Sequence, residues 1–336
     1  MRAARFTGPG RPLQVQEVPR PEPGPDEVLV RVRAAGVCAT ELHFTDGLLT
    51  PARTPITLGH EVAGTVEAVG GAVTAWEPGD RVAVHYLHSC GDCRQCRRGR
   101  ENLCAAPRGM LAFASDGGFA EFVAVPARSL ARIPEALAFV QAAPVACSVT
   151  TALHAAAVAG AGADDVAVVY GAGGVGSALV QVLRHRGARV VAVARSPRRR
   201  ELARELGAEW TIDPADGDVG AQVQRLTGGA DCVVELVGTA DSGRQALAAL
   251  APGGALVYVG YSAERIELDP VRLVVPEQRI LTSVSSTLAE LEQGLDLVAR
   301  GVVRSVVDRT EPLEAVDDVL GALARGEVTG RAVLVP

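Results

Sequence analysis

The chain has 336 residues, of which 48% are apolar and 4% aromatic, and its net charge is −6. The length predicts two domains, the acidic balance argues against a nucleic-acid partner, and the short apolar runs fall below the roughly 20 residues of a membrane span. All 33 positively charged side chains are arginines, so chemistry that forms a Schiff base on lysine is excluded.

The first 140 residues or so have the pattern of a β-rich domain. VLVRVRAAG, EVAGTVEAVG and GDRVAVHYL alternate apolar and polar residues, which predicts strands. The proline-rich PRPEPGPDE predicts a loop between early strands. The N-terminal MRAARFTGPG lacks the apolar region of a secretory signal, so we expect a cytoplasmic protein without a membrane partner.

The pattern changes near residue 145, where VTTALHAAAVAG predicts an apolar helix. Strands and helices then alternate, in the order VAVVY, SALVQVLRHRG, RVVAVA, PRRRELARELG, DCVVELV, SGRQALAALAPGG and ALVYVGY. This alternation predicts βαβ units and a parallel sheet. From about residue 286, the helices LAELEQGLDLVARG and AVDDVLGALARG and the strand RAVLV follow.

A glycine-rich turn, GAGGVG, lies between the strand VAVVY and its following helix. Its fingerprint glycines are Gly171, Gly173 and Gly176, with Gly174 and Val175 between the last two. The first glycine permits a tight turn, the second lets a pyrophosphate approach the backbone, and the third allows close helix–strand packing. The context of strand, turn and helix predicts a dinucleotide site.

Arginines follow the second strand of this region, where an NAD-binding unit ends in a carboxylate for the ribose 2′-hydroxyl. Here that position is Ala194, and Arg195, Arg198 and Arg199 come next. Arginine suits a 2′-phosphate because its guanidinium can bind phosphate through two hydrogen bonds. We therefore favour NADP(H) over NAD(H), with a solvated basic helix start as the alternative.

Four of the seven cysteines, Cys90, Cys93, Cys96 and Cys104, lie in CGDCRQCRRGRENLC. A disulfide cluster, a catalytic thiol site and a metal site are the competing interpretations. A cytoplasmic location weighs against disulfides, because thiols there are kept reduced.

Cys38 in GVCATELH, His60 in GHEVAGTVEAVG and Cys147 in APVACSVTT lie far apart in sequence. Together with the nucleotide fold and the cysteine cluster, they resemble the zinc-dependent medium-chain alcohol dehydrogenases, over essentially the whole chain. The resemblance implies an α/β fold with a GroES-like β-rich catalytic domain and a Rossmann doubly wound parallel-sheet nucleotide domain. The expected segments are residues 1–146, with a structural-zinc lobe at 88–106, then 147–285, and 286–336 returning to the catalytic domain.

The resemblance also implies two zinc ions per chain. The four clustered cysteines would form a closed structural site, while Cys38, His60 and Cys147 would hold a catalytic zinc with one open position. Glu61 matches a carboxylate that approaches the catalytic metal, and Glu41 matches one that holds the histidine ligand.

Further roles carry over from the family. Thr40 matches the hydroxyl that binds the substrate oxygen, and His43 matches the base that relays its proton to solvent. Thr151 matches a residue behind the nicotinamide ring, and Arg331 an arginine that contacts the pyrophosphate. Ala39 departs from the family, which often has a basic or imidazole side chain there. We interpret the remaining histidines, His85, His88, His154 and His185, as structural.

The implied reaction is hydride transfer between a nicotinamide and a primary or secondary alcohol, or its aldehyde or ketone, with zinc as Lewis acid. Phe44, Leu48, Tyr86 and Phe113 are the candidates for an apolar substrate pocket. A zinc-free quinone or enoyl reductase of the same fold and a non-enzymatic nucleotide-binding protein are the alternatives. RILTSVSS resembles the family's subunit-pairing strand, so a homodimer or homotetramer is expected.

Overall fold

A computed structural model describes residues Met1–Pro336, which divide into two compact units. The first unit contains Met1–Thr150, Ser285–Gly301 and Ser305–Pro336. The second contains Thr151–Val284 and Val302–Arg304.

The strands of both units are numbered here in chain order. They are β1 (Arg2–Phe6), β2 (Gln14–Glu17), β3 (Glu27–Val37), β4 (Ile56–Thr57), β5 (Glu61–Val69), β6 (Arg81–Val84), β7 (Leu87–His88), β8 (Gly109–Met110), β9 (Phe122–Pro126), β10 (Leu130–Arg132), β11 (Val166–Tyr170), β12 (Arg189–Val193), β13 (Trp210–Ile212), β14 (Ala230–Glu235), β15 (Leu250–Tyr258), β16 (Arg279–Thr282), β17 (Val307–Pro312) and β18 (Arg331–Val335).

The α-helices are numbered in the same way. They are α1 (Ala39–Thr45), α2 (Phe139–Ala142), α3 (Ser148–Ala159), α4 (Gly174–His185), α5 (Pro197–Glu205), α6 (Val219–Thr227), α7 (Ala240–Ala249), α8 (Pro270–Val274), α9 (Leu288–Ala299) and α10 (Val316–Ala324).

The first unit is built on a sheet of seven strands. Its order is β10-β6-β5-β3-β18-β17, and β9 also pairs with β3. The long strand β3 buries Val28, Val30 and Val32 on one face, as the period of two predicts. The late strand β18 lies between β3, which is antiparallel to it, and β17, which is parallel to it. The C-terminal segment therefore completes the sheet from which the functional residues of this unit project.

The second unit contains a six-stranded parallel sheet in the order β13-β12-β11-β14-β15-β16. Numbered from β11, this order is that of a doubly wound dinucleotide-binding sheet, in which ligands bind at the carboxyl ends of the strands. Strand β11 is buried along its whole length, as expected of a central parallel strand. The predicted fold class is confirmed.

Several elements differ from the prediction. The helix predicted over SGRQALAALAPGG ends at Ala249, and LAPGG belongs to β15 because Leu250 pairs with Ala230 of β14. Strands β13 and β17 and helix α6 were not predicted. They are short, and β13 and β17 lack a continuous alternation of apolar residues, so their pairing with neighbouring strands decides their conformation.

One helical run contradicts the expectation that all apolar stretches are short. The residues Phe139–Ala159 are long and apolar enough to cross a membrane by length and composition alone. Of the apolar window, 83% is buried inside the protein. The run therefore has the burial of a core helix. Its many alanines have small side chains, which allows neighbouring elements to pack closely against it.

Candidate active site and metal centres

The clustered cysteines bring four sulfur atoms together in a lobe of the first unit. The Sγ–Sγ distances are 3.5 Å for Cys93–Cys96 and Cys90–Cys104, 3.9 Å for Cys90–Cys96 and 4.0 Å for Cys93–Cys104. Disulfide sulfurs are only about 2.05 Å apart. Two Zn–S bonds of about 2.3 Å at the tetrahedral angle span about 3.8 Å. The four sulfurs thus fit one tetrahedral zinc ion and no disulfide.

Backbone amides stabilise this cluster. The N–H of Cys90 donates to Cys104 Sγ and that of Cys93 donates to Cys90 Sγ, both at 3.3 Å. Hydrogen bonds from the backbone, first from Cys96, lower the pKa of Cys93 to about 6. Burial and the neighbouring thiols raise the pKa of Cys96 to about 12. The lobe therefore favours thiolate at one sulfur at least, which is the form that binds a metal.

A second donor cluster lies inside the first unit. Cys38, His60, Glu61 and Cys147 are all buried, and each offers a ligand atom within 4.8 Å of the others. Cys38 lies between β3 and α1, His60 precedes β5, and Cys147 precedes α3. Three chain segments thus converge to supply two thiols and one imidazole, the donor set of a catalytic zinc with an open fourth position.

Glu41 holds the imidazole of this cluster. Its Oε1 lies 2.7 Å from His60 Nδ1, and its Oε2 accepts the backbone N–H of Cys38 at 2.9 Å. Glu41 is 0% exposed, so this carboxylate has no access to solvent. With Nδ1–H bonded to Glu41, the His60 Nε2 lone pair is left for a metal.

The protonation of the cluster follows from its burial and its contacts. The hydrogen bond between the two thiols lowers the pKa of Cys38 well below its ordinary value and raises that of Cys147 well above it. Burial opposes a charge on His60, but Glu41 and Cys38 raise its pKa well above the usual value. Protons therefore occupy the cluster when no cation is bound, and metal binding must release them.

Arg331 closes one side of the cluster. Its Nε donates to Glu61 Oε1 and Oε2 at 3.0 and 3.2 Å, and its Nη2 lies 3.3 Å from Cys38 Sγ. Burial raises the pKa of Glu61 to about 7, although Arg331 acts to lower it. Glu61 also requires Gly36 beside it, because a Cβ there would lie 2.0 Å from Glu61 Oε2.

Two predicted relay residues lie on α1, next to the cluster. Thr40 Oγ1 is 3.6 Å from Cys38 Sγ, which brings a hydroxyl group to the donor set. His43 is half-buried and lies three residues further along the same helix. Residues three apart share a helix face, so Thr40 and His43 project from the same side of α1.

In the second unit, the glycine-rich turn has the geometry that the fingerprint requires. Gly171 has φ +111°, a conformation that favours glycine. A Cβ on Gly176 would lie 2.0 Å from the carbonyl oxygen of Gly171, whereas a Cβ on Gly173 would meet nothing within 4 Å. Gly173 is the N-cap of α4, and Gly174 and Val175 form its first turn. The turn thus offers open backbone at a helix N-terminus, a ready anion site.

The arginines after β12 surround the start of α5. Arg195 and Arg198 are exposed and Arg199 is half-buried. Burial, followed by the charge of Arg195, lowers the pKa of Arg199. Their neighbour Arg200 instead donates to the carbonyls of Ala194 and Arg195, both at 2.7 Å, and is ion-paired with Asp213.

Comparison with known proteins assigns the family. Residues 24–135 match the family described as alcohol dehydrogenase GroES-like domain, and residues 174–300 match that of zinc-binding dehydrogenase. An alcohol dehydrogenase from Geobacillus stearothermophilus is 35% identical over 336 residues, covering 99% of both chains. The chain belongs to the zinc-dependent medium-chain alcohol dehydrogenases.

Two solved structures of the family have the same fold as this dehydrogenase. A Sinorhizobium meliloti protein described as a zinc-binding dehydrogenase and bound to NADP is 33% identical, with a TM-score of 0.89 and coverage of 100% of this chain and 99% of that one. A NAD-dependent alcohol dehydrogenase is also 33% identical, with a TM-score of 0.93 and coverage of 100% of both chains. This chain is therefore an enzyme of the oxidoreductase class, and identity alone does not select its nucleotide.

The residues predicted to line a substrate pocket of this alcohol dehydrogenase have different surroundings. Tyr86 lies edge-on to the imidazole of His60, with ring centroids 5.3 Å apart. Phe44 is 0% exposed and packs edge-on against Phe113 at 4.8 Å, so it is a core residue. Leu48 is 37% exposed.

Two of the predicted cofactor contacts, Thr151 and Arg331, are buried. Thr151 is 7% exposed on α3, and Arg331 is 4% exposed with its guanidinium on Glu61 and Cys38. Contact of either residue with a nucleotide stays a prediction.

Sequence reasoning missed two buried groups in this enzyme. Glu235 ends β14 and accepts the backbone N–H groups of Val237 and Gly238 at 2.9 to 3.0 Å. His85, interpreted only as structural, stacks on Tyr86. An acid at the carboxyl end of an apolar parallel strand was the available signal for Glu235, because such ends meet at the ligand edge of the sheet.

Proposed function

We propose that the protein is a zinc-dependent oxidoreductase that transfers a hydride between NADP(H) and a primary or secondary alcohol, or its aldehyde or ketone. The observation that carries this proposal is the buried set of Cys38, His60 and Cys147, with the Thr40 hydroxyl beside it. Two thiols and one imidazole form a three-ligand zinc site with an open fourth position, and the hydroxyl group can bind a substrate oxygen there.

A zinc ion bound there supplies Lewis-acid polarisation of the substrate's oxygen. Glu41 fixes the orientation of His60 through Nδ1, so that Nε2 is directed to the metal. The Thr40 hydroxyl takes up the proton of the alcohol as it gives up its own, and the imidazole of His43 accepts that proton and passes it to solvent. In the reduction direction the same two residues deliver the proton.

We propose a second zinc ion in the cysteine lobe, which gives two per chain. Four thiolates leave no position for substrate, so this ion stabilises the fold. Residues 1–146 and 286–336 would form the catalytic domain, and 147–285 the nucleotide domain.

The preference for NADP(H) rests on charge. The position that carries an acid in NAD-binding units is Ala194, and Arg195, Arg198 and Arg199 surround it. Burial, and after it the charge of Arg195, lowers the pKa of Arg199. The nearness of these two cations supports an anion site, because a phosphate would relieve their repulsion. Thr151 would lie behind the nicotinamide and Arg331 near the pyrophosphate.

The experiment that tests the nucleotide is a fluorescence titration with NADPH and with NADH. The wild type should bind NADPH more tightly, and Arg195→Ala should lose about tenfold of its NADPH affinity while its NADH affinity stays the same. Arg204→Ala is the matched control, because Arg204 is an exposed arginine of α5 paired with Glu201. Equal binding of both nucleotides by the wild type would contradict the preference.

Metal analysis with an alcohol assay tests the reaction. We expect zinc to copurify with the protein and the NADP-dependent oxidation of alcohols to require it. Aliphatic and aromatic alcohols should be preferred to sugar alcohols, because the candidate pocket residues Tyr86, Phe113 and Leu48 are largely apolar. A metal-free protein that reduces quinones or enones would support the alternative reductase instead.

We also propose a cytoplasmic homodimer or homotetramer. Strand β16 is at an edge of the six-stranded sheet, and Val274, Val275 and Val284 close to it in sequence are 73%, 78% and 57% exposed. Light scattering of the purified protein measures the assembly, and a monomer would contradict it.

A further inference from the structure

His85 belongs to no predicted site, yet it is among the most enclosed polar residues of the first unit, at 2% exposed. Its ring is nearly parallel to that of Tyr86, with an interplanar angle of 13° and centroids 5.7 Å apart. Tyr86 also contacts His60 edge-on, at an interplanar angle of 75° and with centroids 5.3 Å apart. The ring stack of His85 and Tyr86 therefore contacts a residue of the donor cluster.

Both nitrogens of His85 are held. Nδ1 lies 3.0 Å from the carbonyl oxygen of Leu87, and Nε2 lies 3.0 Å from the carbonyl and 3.2 Å from the hydroxyl of Ser286. Burial lowers the pKa of His85, which favours the neutral ring. A neutral ring has one N–H, and the carbonyls of Leu87 and Ser286 can only accept, so the ring donates to one of them. The Ser286 hydroxyl can pair with Nε2 in either tautomer, because a hydroxyl group can both donate and accept. Rotation of the ring would break both bonds.

Ser286 is fixed in turn by the cysteine lobe. The following residues start α9, where Thr287 and Glu290 form a capping box. The N–H of Leu288 donates to Glu101 Oε1, and Ser89 Oγ donates to Glu101 Oε2 at 3.3 Å. Glu101 lies between Cys96 and Cys104, so the folded lobe holds the segment that carries Ser286.

We propose that His85 is a positioning residue that holds the Tyr86 ring against His60, and that the cysteine lobe sets this position through Glu101 and Ser286. Tyr86 then lines the substrate pocket, and the orientation of its ring relative to His60 selects between small and large alcohols. This inference rests on the proposed function, because it assumes that the substrate binds beside His60.

The test compares Ser286→Ala with Ser305→Ala. Both serines are buried, but the Ser305 hydroxyl has no hydrogen-bond partner. We expect Ser286→Ala to keep its zinc and to change the ratio of kcat/KM between benzyl alcohol and ethanol about fivefold, mainly through KM for the larger substrate. Ser305→Ala should keep the wild-type ratio, and Ser286→Thr, which retains the hydroxyl, should restore it.

His85→Asn is the second variant, because the asparagine amide can replace the imidazole Nδ1 as a hydrogen-bond partner of Leu87, while the ring face against Tyr86 is removed. If Ser286→Ala fails to fold, His85→Asn decides. A wild-type ratio in either folded, zinc-containing variant would overturn the role of His85. Glu101→Ala should shift the kcat/KM ratio between the two alcohols in the same direction. An unchanged ratio in this variant would show that the cysteine lobe does not set the position of Tyr86.

Near-ultraviolet circular dichroism separates this inference from the proposed function. The Tyr86 signal should differ between wild type and Ser286→Ala, but not between wild type and Ser305→Ala, whether or not an alcohol is oxidised. If the wild type oxidises no alcohol but the signal changes as expected, the proposed function fails and the ring stack stands. If the signal and the ratio are both unchanged, the stack does not position Tyr86.

Discussion

Arg331 donates to both carboxylate oxygens of Glu61, at 3.0 and 3.2 Å, from a position 270 residues further along the chain. Its Nη2 also reaches Cys38 Sγ at 3.3 Å. One buried cation thus faces a carboxylate and a thiolate that belong to the same donor cluster. Its position on β18, next to β3, brings it there.

Replacing Arg331 with leucine should therefore be strongly destabilising. Arg331→Leu leaves Glu61 buried without its partner, and breaking a buried ion pair costs about 3–5 kcal/mol. Urea unfolding of the zinc-loaded protein measures this loss. Arg325→Leu is the control, because its pair with Glu327 is exposed and such pairs contribute little to stability. Similar losses in the two variants would contradict the role given to Arg331.

The two metal centres should respond differently to loss of one ligand. Cys38→Ser should lower activity about a thousandfold through loss of Lewis-acid catalysis, with most of the thermal stability retained. Cys90→Ser should lower the melting temperature instead, because a structural zinc contributes folding free energy. Metal analysis should find one zinc ion fewer in each. Cys232→Ser, a buried cysteine of β14 outside both clusters, should keep both ions.

The glycine-rich turn allows folding and binding to be separated. Gly173→Ala should fold normally, because its Cβ would meet nothing within 4 Å and its φ is −85°. It should nevertheless weaken NADPH binding about tenfold or more, because the added methyl group would occupy the space through which the pyrophosphate approaches the backbone. Gly176→Ala should lower the melting temperature, because its Cβ would lie 2.0 Å from the carbonyl of Gly171. Calorimetry and titration of both variants test this contrast, which equal effects on stability would refute.

Glu235 should stabilise the glycine-rich turn through the loop that contacts it. It holds the loop of Val237 and Gly238, and a Cβ on Gly171 would lie 3.2 Å from Val237 Cγ2, so the loop and the turn are in contact. Glu235→Gln directs an amide at backbone N–H donors and should cost about 1–3 kcal/mol of unfolding free energy. It should also weaken NADPH binding.

The matched control for that variant is Glu264→Gln. Glu264 accepts the N–H of Ala240 at 2.8 Å, but this bond is exposed, so water can replace it. We expect wild-type stability and NADPH affinity within experimental error. A loss in Glu264→Gln as large as that in Glu235→Gln would mean that burial is not the cause.

The metal ligands and the glycine turn are the parts that sequence patterns predict best. A zinc ion accepts few donor types, and the four clustered cysteines have to lie close together because they are close in sequence. The glycines can be recognised in the sequence because the contacts that require them lie within the turn itself. At Gly176, for example, a Cβ would clash with the carbonyl of Gly171. The family resemblance supplied Cys38, His60 and Cys147, whose spacing alone is uninformative.

The remaining features depend on contacts between distant residues. His85 has its partner at Ser286, 201 residues away, and nothing next to either residue indicates the other. The sequence does not indicate that Phe44 packs against Phe113 in the core, because an apolar side chain near a metal ligand can line a pocket or fill the core. Strand β17 forms because it pairs with β18, although its own sequence, VDRTEP, is largely polar.

The position of β18 inside its sheet, between β3 and β17, also sets an order of events during synthesis. Domains generally fold as the chain emerges from the ribosome. The segment Thr151–Val284, which carries the whole parallel sheet of the second unit, is translated before Arg331. Cys38 must then wait for a partner 293 residues downstream. The contacts that surround the Cys38 thiol are therefore complete only after β18 has been translated. The four cysteines of the lobe, by contrast, lie within 15 residues and can come together far earlier.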